Sequence, residues 1–232
     1  MESEVIILAG GLGTRLQHII PGIPKPMAPV NNKPFLFYIL QNLKKFNPPK
    51  VILSVGFESN QIINYFGNKF SDIELVYSIE DSPLGTGGAI KKSLALSSSA
   101  NTFILNGDTF LDADLNMMEK QHFSSESEIT ITVKEMKNFS RYGALIMENE
   151  RITNFEEKKF IEKGFINAGI YLLNRQKFLE IPWPEKFSFE KEFLEKYCGK
   201  LFFSPFFTDK YFIDIGVPED YYKVQHDFNL LF

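Results

Sequence analysis

The sequence predicts an α/β fold: a Rossmann-like mixed, mostly parallel sheet with helices on both faces and antiparallel additions in the second half. Three observations lead there. Short unbroken apolar runs, such as Val5-Ile6-Ile7-Leu8-Ala9, have the pattern of strands buried on both faces. Helix-spaced stretches alternate with these runs through the first half, the order that builds right-handed βαβ units. In the second half, apolar runs follow one another closely with no helix between them, the spacing of antiparallel neighbours.

The elements follow in order. Residues 5–9 form the first strand, and a glycine-rich loop follows it. Residues 35–46 have helical spacing until Pro48-Pro49 stop them, and 51–55 form a second buried strand. Helix 59–70, strand 73–77, helix 87–97 and strand 102–105 come next, the last running to Asp108. Beyond it lie strands at 129–135, 144–148, 152–155 and 167–173. Helices are expected at 188–197, capped by Ser188, and at 218–227, with Pro218 at the first helical position. No internal repeat and no low-complexity linker divides the 232 residues, so the expectation is one domain over 1–232.

Composition narrows the function classes. Hydrophobic residues make up 44% and charged residues 23%, too apolar for a disordered chain. No apolar run approaches the roughly 18 residues of a membrane helix, and Met1-Glu2-Ser3-Glu4 is acidic where a secretory signal is basic. A lone Cys198 rules out an internal disulfide and an all-cysteine metal site. The net charge of −4 comes without a dense basic patch, so neither nucleic acid nor membrane is expected as a partner. A cytoplasmic protein is the expectation. Phenylalanine is abundant, at 24 residues, with a cluster at Leu201-Phe202-Phe203-Ser204-Pro205-Phe206-Phe207. Core packing is the main reading; an apolar contact in a homo-oligomer is the alternative.

The loop Gly10-Gly11-Leu12-Gly13-Thr14-Arg15 follows a buried strand, and the carboxyl ends of such strands form the ligand crevice of open α/β sheets. Glycines at 10, 11 and 13 permit positive φ and let backbone N–H groups approach a phosphate, with Arg15 as a fixed cation. The dinucleotide fingerprint fails because Leu16 stands where its third glycine belongs, and no Walker lysine is present. Lys25 is flanked by Pro24 and Pro26, which restrict the backbone on both sides and aim the side chain.

Leu8-Ala9-Gly10-Gly11-Leu12-Gly13-Thr14-Arg15-Leu16, followed by Pro24-Lys25-Pro26-Met27, resembles the signature of the sugar-phosphate nucleotidylyltransferases. The resemblance implies a first half, about 1–125, facing the nucleotide and a second, about 126–232, facing the sugar phosphate. It implies Arg15 and Lys25 as catalytic cations, with Leu8, Ala9, Gly10, Gly11, Gly13 and Thr14 around the nucleotide. Positioned cations suit this chemistry, because charge builds up on the α-phosphorus and the attacking phosphate needs no general base. His18, His122 and His226 accordingly carry no pattern.

The segment 78–89 resembles the family's second nucleotide element, with Glu80, Pro83, Gly85 and Thr86 at the base and Thr86 expected as a helix N-cap. A carboxylate at position 80 accepts hydrogen bonds only. It suits the adjacent N1–H and 2-amino donors of guanine and repels the carbonyls of uracil, which favours GTP. Asp108 and Asp214 match the family's pair of magnesium-binding aspartates. Tyr142-Gly143, Glu156-Glu157-Lys158 and Asn167-Ala168-Gly169 match its sugar-phosphate elements, implying Gly143, Glu157, Lys158 and Asn167 as contacts. Lys159 stands where proline is usual. Within the family, these details are most similar to the branch that transfers GMP to a heptose 1-phosphate for surface polysaccharides. Mannose or glucose 1-phosphate with another nucleotide remains open, as does a non-catalytic sugar-nucleotide-binding module. A further alternative is a type A glycosyltransferase using Asp112-Ala113-Asp114 for its metal, although Asp114 also suits a helix cap.

Overall fold

The computed structural model describes residues 1–11, 16, 18–156 and 159–232. The chain opens with β1 (Glu4–Leu8), a 3-10 turn at Lys25–Met27, the two-residue strands β2 (Pro29–Val30) and β3 (Lys33–Pro34), and α1 (Phe35–Leu43). Strand and helix then alternate through β4 (Val51–Val55), α2 (Ser59–Phe66), β5 (Lys69–Phe70), β6 (Ile73–Ile79), α3 (Gly85–Leu94) and β7 (Asn101–Asn106). The second half holds β8 (Thr109–Leu111), α4 (Leu115–Ser124), β9 (Ile129–Phe139), β10 (Leu145–Glu148), β11 (Arg151–Phe155) and β12 (Ile161–Asn174). After α5 (Arg175–Leu179), a π-helical turn at Phe189–Leu194 runs into α6 (Glu195–Tyr197). The chain closes with β13 (Phe203–Phe207), β14 (Phe212–Asp214) and α7 (Pro218–Leu231).

Eight strands form the main sheet in the order β13-β9-β12-β7-β1-β4-β6-β5. The centre is parallel, with β1 beside β4 and β7, and β4 beside β6. β12 runs antiparallel to both β7 and β9, the second-half addition that the sequence predicts, while β13 pairs parallel with β9. One antiparallel strand of this sheet falls in the first half instead. The helix expected over 59–70 stops at Phe66, where Gly67 takes φ +63, and Lys69–Phe70 turns back onto β6. The predicted helix at 188–197 begins as a wider π turn, with Ser188 accepting from the Lys191 amide as its cap.

Alternation along β1 sorts the core. Val5 and Ile7 face α1, α4 and α7, whereas Ile6 faces α3, α5 and the π turn. The phenylalanines divide the same way. Phe35, Tyr38 and Phe110 pack around Phe228 on one face. Phe178, Phe187 and Phe193 surround Trp183 on the other, and the Trp183 and Phe187 rings stack 4.6 Å apart. Twelve of the 24 phenylalanines are buried, and each one wholly removed from water stabilises the fold by about 1.5–3 kcal/mol, so core packing accounts for half of them. In β13, Phe203 and Phe206 are buried, but Phe207 is 56% exposed at the sheet edge.

His122 is buried on α4. Its Nδ1 lies 2.8 Å from Thr130 Oγ1 and its Nε2 lies 3.0 Å from Asn101 Oδ1, tying the helix to β9 and β7. Burial pushes the imidazole down to about 4, so it is a neutral structural strut. Among the described residues, no helix is long and apolar enough to cross a membrane.

Candidate active site

Leu8, Ser54, Glu80 and Asn106, at or just past the carboxyl ends of four parallel neighbours, line one cleft of about 730 Å³. Lys25 and Asp108 mark one end, and Glu80, Ser82 and Pro83 the other.

At the first end the lysine is held between two carboxylates. Pro24 is extended, at φ −61 and ψ 140, and the 3-10 turn that follows buries Lys25 to 8% exposure. Its Nζ lies 2.6 Å from Asp108 Oδ2 and 3.8 Å from Asp214 Oδ1. Local pairing explains how residues so far apart in sequence meet. β14 pairs antiparallel with β8 so that Asp214 stands opposite Thr109, and the Ile215 amide donates to the Asp108 carbonyl at 3.0 Å. Gly107 is required by close approach, since a Cβ there would come within 2.5 Å of the Leu8 carbonyl oxygen. Gly216 donates its amide to Asp214 Oδ1 at 2.7 Å, and a Cβ there would crowd that oxygen at 2.9 Å and Lys25 Nζ at 3.3 Å.

Burial raises the Asp214 carboxyl above its ordinary range and the Asp108 charge raises it further; Lys25, the Gly216 amide and Arg141 pull the other way. Arg141 is a residue that the motifs did not single out, although its neighbours Tyr142-Gly143 were. Its guanidinium lies 2.5 Å from Asp220, in the first turn of α7, and 3.9 Å from Asp214. Among the described residues, no group of three or more histidine, cysteine or acidic side chains is placed to hold a metal ion by itself. Two converging carboxylates around a cation do fit magnesium, which takes one or two carboxylates and completes its shell with phosphate oxygens and water.

The base end differs in detail from expectation. Gly10 and Gly11 do not use positive φ. Gly10 is needed because a Cβ would lie 2.9 Å from Glu80 Oε1, so the backbone passes flush against that carboxylate; Gly11 faces open space. Glu80 is held in place, with Oε2 accepting from the Leu84 amide at 3.1 Å and Oε1 3.4 Å from Ser54 Oγ. Ala9 is fully buried and bonds its amide to the Ser54 carbonyl, so it supports the cleft without lining it. Thr86 is not the N-cap. The helix begins after Leu84 without a side-chain cap, and Thr86 Oγ1 instead donates to Glu190 Oε2 at 2.6 Å. Gly85 has φ +72 and lies against the Phe187 carbonyl, where a Cβ would come to 2.5 Å. Its need for glycine therefore comes from packing as well as from any ligand.

On the sugar side, Asn167 and Gly143 do not line the cleft itself. Asn167 sits in the irregular stretch of β12, its amide nitrogen donating to the Tyr171 hydroxyl at 2.8 Å and its oxygen accepting from the Gly169 amide at 3.0 Å. A Cβ on Gly143 would come within 2.7 Å of the Glu156 carbonyl oxygen, which keeps the 141–143 turn beside that segment. Lys159 pairs with Glu156 at 3.3 Å. Gly13, Thr14, Arg15, Glu157 and Lys158 lie outside the described residues. The Asp112-Ala113-Asp114 motif is accounted for structurally: Asp112 pairs with Lys45 at 2.9 Å, and Asp114 caps α4 by accepting from the Met117 amide.

Gly10 and Gly11, a lysine and two carboxylates beside a crevice at the ends of parallel strands are an arrangement suited to binding phosphates in an α/β protein. The chain belongs to the nucleotidyl transferase family, whose profile matches residues 4–229. It is 47% identical, over 97% of its own length and 97% of the relative's, to the D-glycero-alpha-D-manno-heptose 1-phosphate guanylyltransferase of Aneurinibacillus thermoaerophilus. It is 49% identical to the protein of the same name from Campylobacter jejuni subsp. jejuni serotype O:2, over 94% of this chain and 97% of that one. A crystal structure of HddC from Yersinia pseudotuberculosis complexed with GMP-PN has a TM-score of 0.87 at 36% identity, covering 97% of this chain and 99% of the other.

Proposed function

We propose that this chain transfers GMP from GTP to D-glycero-α-D-manno-heptose 1-phosphate, releasing pyrophosphate and forming GDP-heptose for surface polysaccharides in the cytoplasm. The observation that carries the reading is the Lys25–Asp108–Asp214 cluster at one end of a cleft whose other end presents a fixed carboxylate, Glu80. Near-full-length similarity to two heptose 1-phosphate guanylyltransferases supports the choice of nucleotide and sugar.

In this reading Glu80 accepts from the guanine N1–H and 2-amino group, while Leu8, Gly10, Gly11, Gly13, Thr14, Pro83, Gly85 and Thr86 enclose the nucleotide, with Ala9 behind them. Lys25, with Arg15, stabilises the charge that develops as a sugar-phosphate oxygen attacks the α-phosphorus in line and pyrophosphate leaves. The nucleophile is already anionic, so no protein base is assigned. Gly143, Asn167, Glu157 and Lys158 take the sugar phosphate. Asp108 and Asp214 would hold Mg²⁺, which when bound supplies charge neutralisation and orientation of the phosphates. The test is pyrophosphate release from GTP, UTP, dTTP, CTP and ATP, each with heptose, mannose and glucose 1-phosphates. GTP with the heptose phosphate is expected to give the highest kcat/KM; preference for UTP or dTTP overturns the base assignment.

A further inference from the structure

Glu190 stands on the cleft wall with Asn106 and Asp108, and neither the sequence motifs nor the carboxylate pair explains why. It comes from the π turn at Phe189–Leu194. Its Oε2 accepts from Thr86 Oγ1 at 2.6 Å and from Ser188 Oγ at 2.9 Å, while Thr86 Oγ1 accepts from the Phe189 amide at 2.8 Å. One oxygen is thus saturated by protein hydroxyls. Oε1 has no hydrogen-bond partner among the described residues. A carboxylate locked in this way and lining a ligand cleft is a preorganised acceptor waiting for donors.

Charge and neighbours identify the donors. A carboxylate repels phosphates, which are drawn to Lys25 instead, and the base has Glu80. What remains is a neutral polyhydroxyl group, either the ribose or the sugar. Thr86 walls the nucleotide side, but its hydroxyl is used up between Glu190 and the Phe189 amide, and the remaining neighbours of Glu190 favour the sugar. Asn106, on the same wall, lies against the irregular stretch of β12, where a Cβ on Gly169 would come 2.9 Å from Asn106 Nδ2. That stretch holds Asn167 bonded to Tyr171. Burial raises the Tyr171 phenol and the charge of Glu190 raises it further, the Asn167 bond lowers it, and Asp108 adds a smaller rise.

We infer that Glu190 is a specificity residue whose free oxygen accepts hydrogen bonds from hydroxyls on the exocyclic arm of the sugar 1-phosphate, the C6 and C7 hydroxyls of a heptose. The inference rests on the sugar 1-phosphate reading above, in which the ring hydroxyls fall to Gly143, Asn167 and Glu157 and the arm has no other partner. Glu190→Gln inverts the free atom: the amide oxygen keeps the Thr86 and Ser188 hydroxyls, and an NH₂ donor now faces the cleft.

The experiment measures kcat/KM for heptose 1-phosphate, its 7-deoxy analogue and mannose 1-phosphate, together with KM for GTP, in wild-type and Glu190→Gln protein. Wild type should favour the heptose phosphate over both others by about 10- to 100-fold, the discrimination of a site built around a substrate hydroxyl bonded to a charged group. In Glu190→Gln the NH₂ can still donate to a hydroxyl, so the charge-assisted part is what is lost: the preference should narrow by about three- to tenfold through the sugar KM, with KM for GTP moving less than twofold. Equal loss on all three sugars, an unchanged preference, or a rise in the GTP KM overturns the inference. If Glu190→Gln does not fold, Glu190→Asp, which keeps the charge but draws the free oxygen back from the cleft, is measured in the same way: a loss of about threefold or more of the heptose preference supports the role and any smaller loss refutes it. Wild-type protein that releases no pyrophosphate with GTP and any sugar 1-phosphate removes the underlying reading, and this inference with it.

Discussion

Replacing Lys25 with alanine removes the cation that two carboxylates share. The ammonium is nearly buried, 2.6 Å from Asp108 and 3.8 Å from Asp214, so water damps its field little. A donor fixed at a developing charge contributes about 10²–10³ in rate, roughly 3–4 kcal/mol, and kcat should fall by that factor. Stability should fall less, by about 1–2 kcal/mol, because Asp108 is partly solvated and its pairing is worth less than a wholly buried one. Without the lysine, Asp214 faces Asp108 with only Arg141, 3.9 Å away, to offset the repulsion. The apo variant should therefore gain more in Tm from added Mg²⁺ than wild type does. Pyrophosphate release and thermal melting with and without Mg²⁺ measure both effects. A kcat within tenfold of wild type, or an identical Mg²⁺ response, would refute this account of the cluster.

Three more outcomes follow from the geometry. Glu80→Gln places a donor where guanine needs an acceptor, and GTP turnover should drop by about 10- to 100-fold while the GTP-over-UTP preference narrows; an unchanged preference means that the base is read elsewhere. Gly85→Ala forces a side chain into φ +72 and against the Phe187 carbonyl, costing at least about 1–3 kcal/mol and lowering Tm by roughly 3–10 °C; a neutral melting curve contradicts the packing described. For His122 the pKa falls on folding from 6.5 to about 4, so the unfolded chain binds a proton that the folded chain refuses. Its contribution is whole above pH 6.5 and is lost as pH falls toward 4. From pH 7 to pH 5 that amounts to about 2 kcal/mol, which denaturant titrations of wild type and His122→Gln should show as a steeper acid loss in wild type.

The parallel centre of the sheet is legible because Val5–Ala9 is an unbroken apolar run before a glycine loop, and β4, after Pro48-Pro49, is one interrupted only by Ser54. β12 was not legible along its full length. Its first half, Ile161-Glu162-Lys163-Gly164, is charged and glycine-broken, and it holds strand geometry only because β9 extends beside it to Phe139. The end of α2 was hidden because Lys69–Phe70 continues the helical spacing past Gly67. Within the site, Lys25, Asp108 and Asp214 could be named from short motifs and are brought together in the fold. Arg141 and Glu190 could not, because their partners Asp220 and Thr86 lie 79 and 104 residues away and no local pattern encodes such a meeting. A threonine between two glycines before a helix looks like a cap, and the competing bond of Thr86 to Glu190 is a tertiary contact that no local pattern shows.

The three-residue pairing of β8 with β14 also has a bearing on how the site could be dismantled. Asp214 is carried to Asp108 by this short ladder and not by the eight-stranded sheet, so a proline or a bulge placed in either strand would part the two carboxylates while leaving the central parallel strands as they are.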